Sequence, residues 1–225
     1  MIHALMSAAH QARIRYGKRK TPFLGEVSAA DFITGGALAQ AIGLTAGTAQ
    51  HSNEPWLHFV DPVDGRTKYI AKKPYRHSIS WNQLQAVNAV NGNRTLVING
   101  KTYRVRLLKG SATDPYVGGV WGFDTSGTWG SEWNRLMYRV SGKPFTDVNT
   151  TLASEGLTEG DWAQYSEAEL LTHQSRGNGS YCWCQETQGS NRVSRGHNGV
   201  SSVYLNEASV AAPYCGWRPV LELVE

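Results

Sequence analysis

The sequence predicts an α+β fold of short helices, β-hairpins and long loops, and three observations lead there. Strand-like runs such as Trp56–Val60 and Thr95–Ile98 are followed by the turn dipeptides Asp64-Gly65 and Asn99-Gly100. Between such runs lie short stripes of apolar residues at helical spacing, none longer than about three turns. Glycine is abundant, 24 of 225 residues, and together with many Asn and Ser it supplies the turns that such a chain needs.

Taken in order, the first element is an amphipathic arm. Ile2, Leu5, Met6 and Ala9 fall at i, i+3, i+4 and i+7 and make one apolar stripe, stopped at Gly17 before Lys18-Arg19-Lys20 and Pro22. Two readings stand for it: a helix packed on its own domain, or an assembly arm lying on a neighbouring subunit. A helix is expected at Ala37–Ile42, ended by Gly43, and then a polar stretch from Thr45 to Asn53. Trp56–Val60 and Lys68–Ala71 read as strands joined through Asp64-Gly65. Ser80 and Gln83 form a capping box that opens a helix with Leu84, Ala86 and Val87 on its buried face. Asn99-Gly100 accepts positive φ at both turn positions, which predicts a two-residue type I′ hairpin between strands 95–98 and 101–108.

Residues 109–128 read as a loop. Ser131 then caps a helix whose stripe is Trp133, Leu136, Met137 and Val140. Residues 142–165 show no period and are expected to be irregular. Ser166 and Glu169 make a second capping box, with a short helix through Leu171. Two closing strands, Asn191–Ser194 and Trp217–Leu223, flank a polar excursion from Arg195 to Tyr214, expected to be an exposed loop. The expected division is an arm and attachment region over 1–50 and one domain over 51–225.

Composition excludes several function classes. Charged residues are only 18%, low for a soluble enzyme, and the net charge of +4 is mild. Lys and Arg are scattered apart from Arg13, Arg15, Lys18, Arg19 and Lys20, so no nucleic-acid face is expected. There is no apolar run of the roughly 18 residues that a membrane helix needs. No basic segment followed by an apolar one marks a secretory signal, so synthesis in a reducing cytoplasm is expected. Three cysteines are too few for a disulfide scaffold.

The residues that carry chemistry are few. Strand alternation puts Cys182 and Cys184 on one face and Trp183 on the other, which suits small buried thiols. A disulfide or a soft metal shared with Cys215 is the alternative. The seven histidines (His3, His10, His51, His58, His77, His173 and His197) form no H-x-x-x-H pattern. His3 and His10 share a face of the arm, and His197, in the polar excursion, is the candidate for ligand contact. No phosphate loop, dinucleotide fingerprint or G-x-S-x-G is present. Glu132, Asp161, Glu167 and Glu169 read as helix N-terminal residues favoured by the dipole. Trp183, Tyr204, Tyr214 and Trp217 suit sugar stacking or a core. The two tryptophans are read as core pillars and the two tyrosines as surface residues. The candidate ligand-binding set is therefore His197, Tyr204 and Tyr214. The candidate partner-binding set is Ile2, Leu5, Met6 and Ala9, and no cofactor or metal is expected.

Arg192-Val193-Ser194-Arg195-Gly196, followed by Gly216-Trp217-Arg218-Pro219, resembles the C-terminal signature of C-type-lectin-like folds, in particular formylglycine-generating-enzyme-like domains. There an R-V-x-R-G strand leads through a variable region to a closing G-[FWV]-R strand. Further blocks are similar to uncharacterised bacteriophage and prophage virion proteins: Ala71-Lys72-Lys73-Pro74, Ser78-Ile79-Ser80-Trp81, residues 103–110 and 131–140, and Trp183-Cys184-Gln185-Glu186. Together the resemblance covers roughly residues 56–225. It implies a virion structural protein (decoration, neck or tail-associated), attached through its arm and contacting other virion proteins and copies of itself. It also implies a displayed face that recognises a host-surface glycan or a neighbouring subunit. The calcium motifs of true lectins are absent: Glu54-Pro55 is followed by Trp56, and Trp81-Asn82 by Gln83. The same resemblance offers an alternative, a copper- or thiol-dependent enzyme using Cys182, Cys184 or Cys215.

Overall fold

The computed structural model describes residues 23–61, 63–118, 121–123 (backbone only), 131–141, 164–172 and 177–224. The apolar arm positions Ile2, Leu5, Met6 and Ala9 lie outside the described residues, as do His3, His10, Asp161 and His173. Among the described residues the protein is mainly β, with two open sheets and four short helices. No described helix is long and apolar enough to cross a membrane.

The first sheet is antiparallel. Its strands are β1 (Phe23–Val27), β3 (Trp56–Val60), β4 (Thr67–Ala71), β6 (Asn91–Ile98), β7 (Lys101–Arg106) and β13 (Val220–Leu223), in the spatial order β1-β3-β4-β13-β7-β6. The second sheet holds β2 (Thr48–Ala49), β5 (Arg76–His77), β8 (Trp121–Phe123), β9 (Tyr181–Gln188), β10 (Asn191–Arg195), β11 (Ser202–Glu207) and β12 (Cys215–Trp217), in the order β2-β5-β12-β9-β10-β11-β8. The chain crosses from the second sheet to the first at Arg218-Pro219, where proline has no N–H to offer a ladder. The expected single strand 217–223 is therefore two strands in different sheets.

Local signals behave as the residues dictate. Helix α1 (Gly35–Ala41) is capped by Thr34, whose Oγ1 accepts from Ala37 N at 3.2 Å, and Gly43 follows at φ 74°. Helix α2 (Trp81–Ala86) has the Ser80–Gln83 capping box in both directions. Asn99 and Gly100 sit at φ 49° and 76°, the type I′ turn joining β6 to β7. Helix α4 (Glu167–Leu170) carries the Ser166–Glu169 box. Helix α3 (Asn134–Tyr138) is wound as a π-helix with α-helical turns at 132–133 and 139–140, and Ser131 Oγ accepts from Asn134 N at 3.1 Å.

Alternation along the strands makes two cores. In β3, Trp56 enters the first core while Leu57 and Phe59 enter the second. In β13, Leu221 and Val220 divide in the same way. The first core holds Leu38 of α1, Leu84 of α2 and both tryptophans of the closing strands, Trp183 and Trp217. The second holds Trp133, Leu136, Met137 and Val140 around α3, packed between Phe59 and Ile70 of one sheet and Cys184 and Val193 of the other. The indole N–H groups of Trp56, Trp81, Trp133 and Trp183 each donate to a main-chain carbonyl, of Ile33, Cys184, Val200 and Ile79 respectively.

The expected boundary at residue 50 does not divide the described residues. β1 pairs with β3, and Leu38 of α1 is fully buried in the first core, so residues 23–50 belong to the same body. The excursion from Arg195 to Tyr214 also differs from expectation. Six of its residues form β11, which pairs with β10 on one side and β8 on the other. Alternation of Ser202, Tyr204 and Asn206 with Val203 and Leu205 was the signal, masked by the small polar residues around it.

Candidate functional site

Four segments of the second sheet bring aromatic rings together. Tyr181 opens β9. His197 follows β10, Tyr204 lies in β11, and Tyr214 precedes β12. The His197 ring stacks on Tyr181 with centroids 4.1 Å apart and planes at 18°. Tyr204 meets Tyr181 edge-on at 5.1 Å, and Tyr214 lies tilted against it at 4.7 Å. The Tyr181 hydroxyl is 3.0 Å from His197 Nε2, within hydrogen-bond distance. So the three residues singled out in the sequence share one cluster, centred on a fourth that sequence reasoning passed over. The signal for Tyr181 was the alternation Tyr181, Trp183 against Cys182, Cys184, which places Tyr181 on the aromatic side of β9.

The main chain fixes this arrangement. Tyr181 N donates to Tyr214 O at 2.8 Å and Gly179 N to Pro213 O at 2.9 Å, which locks the two tyrosine-bearing segments side by side. A Cβ on Gly216 would stand 2.4 Å from Gly179 O, so this close approach requires glycine. Ser194 Oγ donates to Tyr204 O at 3.1 Å and accepts from Asn206 Nδ2 at 3.0 Å. Tyr204 and Tyr214 are half-buried, whereas Tyr181 and His197 keep only 2% and 5% of their surface. That burial corrects the expectation of His197 as an exposed loop residue. His197 and Tyr181 form the floor, and the two outer tyrosines carry the accessible ring surface. Aromatic faces next to hydroxyl groups stack on apolar faces and hydrogen-bond at their rim.

Two of the three motif arginines, Arg195 and Arg218, lie in the interior. Arg195 donates to Gly110 O and Asn134 Oδ1, both at 2.6 Å. Arg218 donates to Ala71 O at 3.1 Å, to Lys72 O at 2.5 Å and to Leu170 O. Both are fully buried, so they act as struts, joining loops of both sheets to α3 and α4.

The three thiols do not converge. Cys182 and Cys184 face the second core and Cys215 the first. All three are unbonded and buried. Burial pushes the Cys184 thiol well up, with Glu186 adding to it, and pushes Cys215 up to about 12. Trp183 and Trp217 are core residues, as the sequence favoured.

A second polar constellation occupies the second-core face of the first sheet, beside α3. Lys68 contacts Asp61, Asp64 at 2.7 Å and Glu132 at 2.8 Å. Arg106 grips Glu132 at 2.6 Å and Glu222 at 2.8 Å, and Arg135 grips Asp61 at 2.7 Å. Glu132 is thus the centre of a buried ion network rather than a plain dipole partner of its helix. Burial alone would raise the Glu132 and Asp61 carboxyls. Arg106 beside the first and Arg135 with Lys68 beside the second hold both below the usual range. Burial likewise pulls Lys68 down, and Glu132 and Asp61 more than reverse it. Every charge here has a partner of opposite sign, which is the pattern of a structural network.

No family model, curated protein or solved structure matches this chain.

Proposed function

We propose that this chain is a bacteriophage virion structural protein built on a C-type-lectin-like domain, whose face around Tyr181 contacts a saccharide of the host surface. The observation that carries the reading is the convergence of His197, Tyr204 and Tyr214 on Tyr181 from separate segments. Two half-exposed tyrosines on a rigid floor offer large contact area with little rotamer entropy to lose. Arg195 and Arg218 support the same reading. They brace the frame on either side of the segment that bears His197, Tyr204 and Tyr214, as a scaffold with a display region requires. The virion assignment follows the resemblance of the sequence blocks along residues 71–186. Burial of Cys184 and Cys215, and the placing of Cys215 in the other core, speak against a thiol or copper enzyme.

The test is the double variant Tyr204→Ala/Tyr214→Ala, which leaves the buried floor in place. Circular dichroism should stay close to wild type and melting should drop only by the loss of two half-buried rings, while binding to host cells or to a panel of immobilised surface glycans is lost. Unchanged binding by a folded double variant overturns the recognition role.

A further inference from the structure

The two edges of the first sheet differ in a way that has a consequence for assembly. β1 is five residues long. It is bulged between Phe23 and Gly25, where Gly25 adopts φ 108°, and it carries the Glu26–Lys72 ion pair at 2.7 Å. Bulges and charges of this kind blunt an edge against further pairing. β6 is eight residues long, and its irregularity is confined to the span between Asn91 and Arg94. From Arg94 to Ile98 the register with β7 is regular, with no proline and no acidic residue. Val97 on this stretch is 69% exposed.

Ladder geometry says which groups face outward. Ile98 and Lys101 flank the two-residue turn and form a hydrogen-bonded pair. Antiparallel pairs alternate, so Leu96↔Tyr103 is also hydrogen-bonded, whereas Val97↔Thr102 and Thr95↔Arg104 are not. The N–H and C=O of Thr95 and Val97 therefore point away from β7. Among the described residues no strand or turn meets them.

We propose that β6 is the contact between two copies of this chain, paired antiparallel about a twofold axis at Leu96. In that register Thr95 faces Val97 of the partner copy, and Val97 faces its Thr95, so all the outward groups are matched in hydrogen-bonded pairs. Leu96 meets Leu96, completing the burial of a side chain that is only partly covered by the first core. Arg94, the one charge on this stretch, falls opposite Ile98 rather than opposite its own copy, so no like charges meet. A self-complementary patch of this kind is what an isologous interface needs. The inference is independent of the aromatic face, which lies on the other sheet.

Sedimentation velocity over a concentration series tests it on the full chain. The wild type should form a reversible dimer. Val97→Lys, a change at an exposed position and a typical edge-blocking residue, should give a monomer with unchanged circular dichroism and melting. Leu96→Cys places thiols across a non-hydrogen-bonded pair, where Cα atoms stand about 4.5 Å apart, within the span of a disulfide. Mild oxidation should then give a covalent dimer, cleaved by reductant, while the buried native thiols stay out of reaction. A wild type that remains monomeric at all concentrations overturns the proposal. So does an oligomer that survives Val97→Lys, or a Leu96→Cys chain that does not cross-link.

Discussion

The guanidinium groups of Arg195 and Arg218 both stand over one indole, that of Trp133, with their central carbons 5.7 and 5.6 Å from its ring centre. One arginine ends β10 and the other follows β12. Trp133 at the start of α3 is therefore the point where both closing strands of the second sheet are tied to the helix between the sheets.

Arg218→Lys should destabilise the fold although it keeps the charge. A lysine ammonium cannot reach the Ala71, Lys72 and Leu170 carbonyls together, nor present a flat face to Trp133. The expected loss is roughly 2–4 kcal/mol, read from urea unfolding. A midpoint equal to wild type would show that the strut carries no stability.

Glu132→Ala should cost about 3–5 kcal/mol, because it leaves Arg106 and Lys68 buried beside a missing partner. Lys109 N also loses its acceptor, Glu132 Oε2, at 2.9 Å. Thermal melting at neutral pH measures it, and a drop below 1 kcal/mol would contradict the network's role.

Stability should fall on both sides of a mildly acidic optimum. Burial raises Glu186, with Asp114 adding to the effect, to about 7 from 4.5, against the pull of Gly110 N–H. The fold thus favours the protonated form. Its contribution is present below pH 4.5 and is lost as pH rises through about 7. At full effect this is up to about 3 kcal/mol. Asp61, Glu132 and Glu222 shift downward, so their contribution is present above the ordinary carboxylate range and lost as pH falls through it. Glu186→Gln should flatten the neutral limb and leave the acid limb intact. Melting temperatures from pH 4 to 8 that retain the wild-type neutral slope would rule Glu186 out.

Gly100→Val should destabilise by about 1 kcal/mol or more, because a β-branched side chain opposes φ 76°. No neighbour lies within 4 Å of a Cβ placed there, so the loss would come from the backbone alone. An unchanged melting temperature would contradict the turn assignment.

Elements with strong local chemistry were legible in the sequence. The Asn99-Gly100 hairpin, the Ser80–Gln83 and Ser166–Glu169 boxes and the Cys182/Cys184 alternation all follow from neighbouring residues. What local pattern does not carry is partnership across the sequence. β13 lies between β4 and β7, whose residues come more than a hundred positions earlier, and the crossing at Pro219 splits one apparent strand in two. Glu132 carries both a helix-start signal and a network role, and only the positions of Lys68 and Arg106 reveal the second. The candidate site was half legible. Tyr204 and Tyr214 have composition suited to a surface, but the depth of His197 and the centrality of Tyr181 depend on how four segments stack.

The placing of the thiols gives the chain an internal clock. Cys182 and Cys184 are sealed in the second core and Cys215 in the first. An alkylating reagent reaches them only when the surrounding core opens, so modification followed by mass mapping times each opening separately. Equal rates at Cys184 and Cys215 would mean that the two cores open as one cooperative unit. Faster labelling at either would name the half of the protein that lets go first.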